Sequence, residues 1–95
     1  MRVEVTRSGG FAGIVRRGVV DARDLDPDAA RELEQLVAAA DLAAPRGNAP
    51  PRADAFQYDV AIAGEGVVAQ AATFDEPQLD EPLRALIDRV LGQRA

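Results

Sequence analysis

Each half of this chain runs two strand-like stretches into a helix whose start is marked by an aspartate and a proline. That ββα order, met twice, constrains the fold more tightly than any other feature of the sequence. "LDPDAARELEQLVAAADL" opens with Asp26 as a helix N-cap and Pro27 at the first helical position, where its missing N–H costs nothing. Asp28 then sits at the positive end of the helix dipole. Ala29, Leu33, Leu36, Val37 and Ala40 recur at helical spacing as one apolar stripe, while Arg31, Glu32, Glu34 and Gln35 occupy the opposite face. "LDEPLRALIDRVLGQRA" uses the same device, with Asp80 as cap and Leu83, Leu86, Ile87, Val90 and Leu91 as the stripe. A helix apolar on one side only must bury that side against another layer.

The remaining segments supply that layer. Residues 1–6 alternate, with Val3 and Val5 pointing one way and Arg2, Glu4 and Thr6 the other, as a half-buried strand requires. Residues 14–22 read as its antiparallel partner, with Gly18 marking either a bulge or a close backbone approach. "FQYDVAIAG" places Phe56, Tyr58, Val60 and Ile62 on one face. Gly64-Glu65-Gly66 makes a turn, and residues 67–74 return as a hairpin partner. The expected fold is α+β in the order ββαββα: a four-stranded antiparallel sheet made of two hairpins, packed against two helices. Its 95 residues form a single domain. Between the halves, "AAPRGNAPPRADA" is rich in proline and cannot continue a regular element.

Composition narrows the chemistry. The chain has no cysteine, hence no disulfide, and no histidine, which removes the usual general base at neutral pH and the commonest metal ligand. Asp24, Asp26 and Asp28 alternate like calcium ligands. An EF-hand loop counted from Asp24 would need glycine and a bidentate acid where Ala29 and Gln35 stand, so capping explains them better. Asp75, Glu76, Asp80 and Glu81 read as a solvated helix start. No cofactor, metal or catalytic residue is expected, and the chain is read as no enzyme. The net charge of −5 argues against a nucleic-acid partner. Within it, residues 1–25 hold five arginines against three acids, and the rest hold six against thirteen. No basic-then-apolar leader opens the chain, and no apolar run approaches the ~20 residues that cross a bilayer. The expectation is a cytoplasmic protein without membrane contact.

One stretch exceeds what its position needs. In "RSGGFAGIVRR" the connection from Ser8 to Gly13 spends six residues where a tight hairpin needs two, and carries three glycines around Phe11. A phosphate cradle is excluded, because the loop feeds a strand, not a helix, and lacks both G-x-G-x-x-G and a following Lys-Ser/Thr. Glycines let the backbone approach another surface closely, and one aromatic on such a loop can anchor in a partner's pocket. The competing reading folds Phe11 back onto its own core.

"RSGGFAGI" after a short first strand, then an arginine-bearing strand, a helix and Asp54, Phe56, Tyr58 and Val60 as "D-x-F-x-Y-x-V", resembles the emfourin family from Val3 through the C-terminal helix. Emfourins are small cytoplasmic bacterial proteins that inhibit thermolysin-like (M4) zinc metalloproteases of the protealysin group. The resemblance implies a stoichiometric inhibitor, a monomer when free, whose partner is such a protease. Proteases of this class favour a bulky apolar side chain just after the scissile bond, and Phe11 is of that type. The protease-binding set expected here is therefore Arg7, Ser8, Gly9, Gly10, Phe11, Ala12 and Gly13, with Phe11 as anchor, the Gly9-Gly10 backbone against a protease strand edge, and Arg7 and Ser8 in polar contact beside it. Arg16 and Arg17 would steer toward an acidic surface. Two other classes compete. One is a non-inhibitory interaction module, dimerising or antitoxin-like. The other is a small-molecule binder, which would need an apolar cavity between sheet and helices.

Overall fold

A computed structural model describes residues 1–9, 15–46, 55–64 and 69–92. Strands β1 (Arg2–Gly9), β2 (Arg16–Asp21), β3 (Phe56–Ala63) and β4 (Gln70–Asp75) form one antiparallel sheet in the order β2-β1-β3-β4. Helices α1 (Pro27–Ala40) and α2 (Glu81–Leu91) complete the order ββαββα that the sequence predicts. The two hairpins are joined through their first strands. Val3 lies opposite Ile62 and Val5 opposite Val60, so β1 and β3 are the inner strands and β2 and β4 the edges.

The register decides which side chains meet the helices. Val20 and Gly18 of β2, Val3 and Val5 of β1, Ile62, Val60 and Tyr58 of β3 and Phe74 of β4 share one face. All of these except the glycine are buried hydrophobics of a continuous core with Leu33, Leu83, Leu86, Ile87 and Val90. The other face carries Glu4, Arg17, Asp59 and Thr73 and stays open to solvent, with a shallow depression of about 320 Å³ over Thr6, Ala61 and Ala71. Helix α2 lies across β1 and β2, and α1 packs chiefly against α2. This placement explains an unequal outcome for the two predicted stripes. All five positions of α2 are buried, whereas in α1 only Leu33 and Ala40 are, with Leu36 and Val37 half-covered.

Both predicted caps are formed. Asp26 Oδ1 accepts from the Ala29 amide at 2.8 Å and Asp80 Oδ1 from Leu83 at 3.0 Å. Gly18 is a close approach and not a bulge. A Cβ there would stand 2.9 Å from the Val90 carbonyl carbon and 3.1 Å from Leu91 Cα, so the glycine admits the end of α2 onto β2. Arg46 was expected in an unstructured connection, but its side chain is only 8% exposed. Its guanidinium donates to the carbonyls of Ala40, Asp41 and Ala44, pairs with Asp80 at 3.3 Å and lies 4.9 Å from the centre of the Phe74 ring. It thereby ties the end of α1 to the start of α2 and to β4. The expected turn at residues 65–66, the first two residues of the expected fourth strand and most of the proline-rich connection lie outside the described residues.

Candidate functional site

The glycine-rich segment springs from the end of the sheet where β1 stops and β2 begins. Ser8 and Gly9, expected in the loop, belong to β1: they pair with Gln57 and Phe56 of β3. The apolar–polar alternation of the sequence ends at Thr6, but the inner position of β1 lets its backbone continue pairing on the β3 side. Likewise β2 begins at Arg16, two residues later than expected. Gly10, Phe11, Ala12 and Gly13 lie outside the described residues, as does the question of whether Phe11 packs inward.

Gly9, the last residue of β1, has φ of 91°, a left-handed conformation that side-chain-bearing residues rarely adopt. A Cβ there would also stand 2.7 Å from the Ala55 carbonyl oxygen. The end of the proline-rich connection thus abuts the start of the glycine-rich segment, a neighbourhood no local sequence signal indicates. Arg7, two residues earlier, is on the helix-covered face in line with Val3 and Val5. Its guanidinium carbon lies 4.4 Å from the centre of the Phe56 ring, and its Nε is buried without a hydrogen-bond partner. The Phe56 amide in turn donates to Glu76 Oε2 at 3.3 Å.

On the other stem, Arg16 is the cross-strand partner of Arg7, and its Nη2 donates to the Leu91 carbonyl at 2.9 Å. That carbonyl belongs to the last turn of α2, where the helix dipole favours a cation. Arg17 faces the open side and pairs with Glu4 at 2.8 Å. Val15, at the segment's exit, is 63% exposed, and Val19 on the edge strand follows it on the open face; these two are the exposed large hydrophobics among the described residues.

Neither of the two perturbed carboxyls among the described residues is prepared as a general acid. The hydrogen bond from Arg17 holds the Glu4 carboxyl below its ordinary range, and that from Arg23 does the same for Asp21, so both favour the ionised form. Among the described residues no three His, Cys, Asp or Glu side chains gather where they could hold a metal ion, and no helix is long and apolar enough to cross a membrane.

The described residues form a small α+β scaffold in which two braced strands, β1 and β2, flank the glycine-rich segment. The family model for Emfourin matches residues 5–91, and the chain belongs to that family, a family of protease inhibitors. No curated protein and no solved structure matches the chain.

Proposed function

We propose that this protein is a stoichiometric inhibitor of thermolysin-like (M4) zinc metalloproteases of the protealysin type, with no catalysis of its own. The observation that carries the proposal is the family match over residues 5–91, which spans both stems of the glycine-rich segment and everything that braces them. On this reading residues 8–13 lie in the active-site cleft. Phe11 fills the pocket that receives the residue after the scissile bond, the Gly9-Gly10 backbone runs along a protease strand edge, and Ser8 adds a polar contact at the flank. Inhibition is by steric occlusion, and the catalytic zinc need not be touched.

The scaffold contributes rigidity. A segment whose ends are already fixed loses less conformational freedom on binding, and it resists adopting the geometry of a cleaved substrate. The protein acts in the cytoplasm as a monomer and binds its protease one to one.

The test is a titration of thermolysin-like enzymes with the purified protein, following cleavage of a fluorogenic peptide. Activity should fall to an endpoint near equimolar for a cognate enzyme. Phe11→Ala should then weaken inhibition by ~2 kcal/mol, the scale of an aromatic anchor, while its far-UV circular dichroism stays that of the parent. Unchanged proteolysis across several protealysin-like enzymes would sink the proposal. In that case the exposed Val15 and Val19 beside the free edge of β2 would favour a non-inhibitory interaction module.

A further inference from the structure

We infer that Arg7 is a positioning residue: stacked on Phe56, it holds the end of β1 from which the glycine-rich segment continues, and it does not itself meet the protease. The inference rests on the inhibitor reading for its consequence, but not for its geometry. Arg7 and Arg16 are directly opposed across β1 and β2 on the helix-covered face. Like charges at such positions repel, so the pair needs separate acceptors to be tolerated. The structure supplies them. Arg16 donates to the Leu91 carbonyl at the end of α2, while Arg7 lies over the Phe56 ring at 4.4 Å. The two guanidiniums are thus drawn to different elements, α2 and β3, on the two sides of β1.

Three further observations show that Arg7 is committed to this stack. Its Nε is buried with no hydrogen-bond partner, so that N–H is enclosed by the fold and out of reach of an external carboxylate. The backbone that carries its aromatic platform is tethered, because the Phe56 amide donates to Glu76 Oε2. Gly9, two residues on, pairs with Phe56 and has a positive φ. Losing the stack would therefore loosen the Gly9–Phe56 pairing at the end of the ladder, where the segment begins. A planar guanidinium covers a ring face in a way that an ammonium does not, so lysine is not an equivalent residue at position 7.

The experiment combines a mutant cycle with amide exchange, using the full chain. Inhibition constants are measured for the wild type, Arg7→Ala, Phe56→Leu and the double variant, and hydrogen exchange of residues 8–15 is measured in each protein without protease. Each single variant should weaken inhibition at least tenfold and speed exchange by a similar factor, and the double variant should be no worse than the poorer single one. Arg7→Lys should fall between wild type and Arg7→Ala, and it serves as the test variant should the alanine form fail to fold. Asp26→Ala, which loosens α1 far from the stems, should leave inhibition unchanged despite lower stability. Additive losses with unchanged exchange would overturn the inference and make Arg7 a direct contact. Unchanged exchange and unchanged inhibition would overturn it as well. Should the wild type inhibit no protease while Arg7→Ala still speeds exchange, the positioning role stands and the inhibitor reading falls.

Discussion

Replacing Arg46 with alanine removes one side chain that joins three elements, and the loss can be worked out contact by contact. Its guanidinium serves three carbonyls at the end of α1, and two of those bonds, to Ala40 and Ala44, are partly buried. Leaving two such acceptors without a charged donor costs ~1 kcal/mol each, since water reaches them incompletely. The last turn of α1 contains no basic residue, so Arg46 is also the cation nearest that negative helix end, worth about 0.5 kcal/mol. The stack on Phe74 adds roughly 1 kcal/mol. The pair with Asp80 adds little, because that carboxylate is 51% exposed. Against this sum stands the rotamer freedom that Arg46 gives up in the folded state, ~1.5–2 kcal/mol. The net is a destabilisation of about 2 kcal/mol, which for a chain of this length lowers the melting temperature by roughly 8–15 °C. Urea unfolding followed by circular dichroism measures it directly. Asp80→Asn keeps the cap on α2 and removes only the charge, so it should cost well under ~1 kcal/mol. An Arg46→Ala midpoint indistinguishable from wild type would refute the assignment of a fastening role. A loss as large for Asp80→Asn would mean that the ion pair, and not the carbonyl cluster, carries the effect.

Three other outcomes follow from the packing and the charges. Gly18→Ala places a methyl against the Val90 carbonyl and should destabilise by ~1–3 kcal/mol as α2 is pushed off β2, read from the urea midpoint. Asp26→Ala should cost ~1 kcal/mol and Asp26→Asn almost nothing, because asparagine caps a helix as well as aspartate does. Glu4 and Asp21 have carboxyls lowered in the folded state, so their contribution is present above the ordinary carboxylate range and is lost as pH falls through the folded values. Thermal stability should therefore decline below about pH 4, with a shallower decline in Glu4→Gln and in high salt, as melting curves across the acid range will show.

Local features of the fold were legible in the sequence, and those set by distant contacts were not. The caps at Asp26 and Asp80 depend on residues three apart, and the stripe of α2 on a period of 3.6. Both kinds of signal are complete within one helix. The buried face of β3 was legible for the same reason, as alternation from Phe56 to Ile62. The joining of the two hairpins through β1 and β3 was not, because residues 47 to 61 positions apart carry no local mark of their pairing. That omission had a consequence at the candidate site. Ser8 and Gly9 look like loop when β1 is imagined with one neighbour, and become strand once β3 is beside them. The burial of Arg46 and the stack of Arg7 on Phe56 were hidden for a further reason. Arginine is a surface residue by default, and only the assembled fold reveals that carbonyls or a ring wait within its reach.

The inner position of β1 also bears on how such a protein can change over generations. Side chains alternate along a strand, so a residue inserted or deleted before Gly9 would exchange the buried and solvent faces of everything between it and the end of the strand. Val3, Val5 and Arg7 could not all keep their neighbours on β3. The described pairs of the two ladders together run from residue 2 to residue 9 of β1. The length and register of β1 are thus fixed from both sides, and change along it has to come by substitution and not by insertion or deletion.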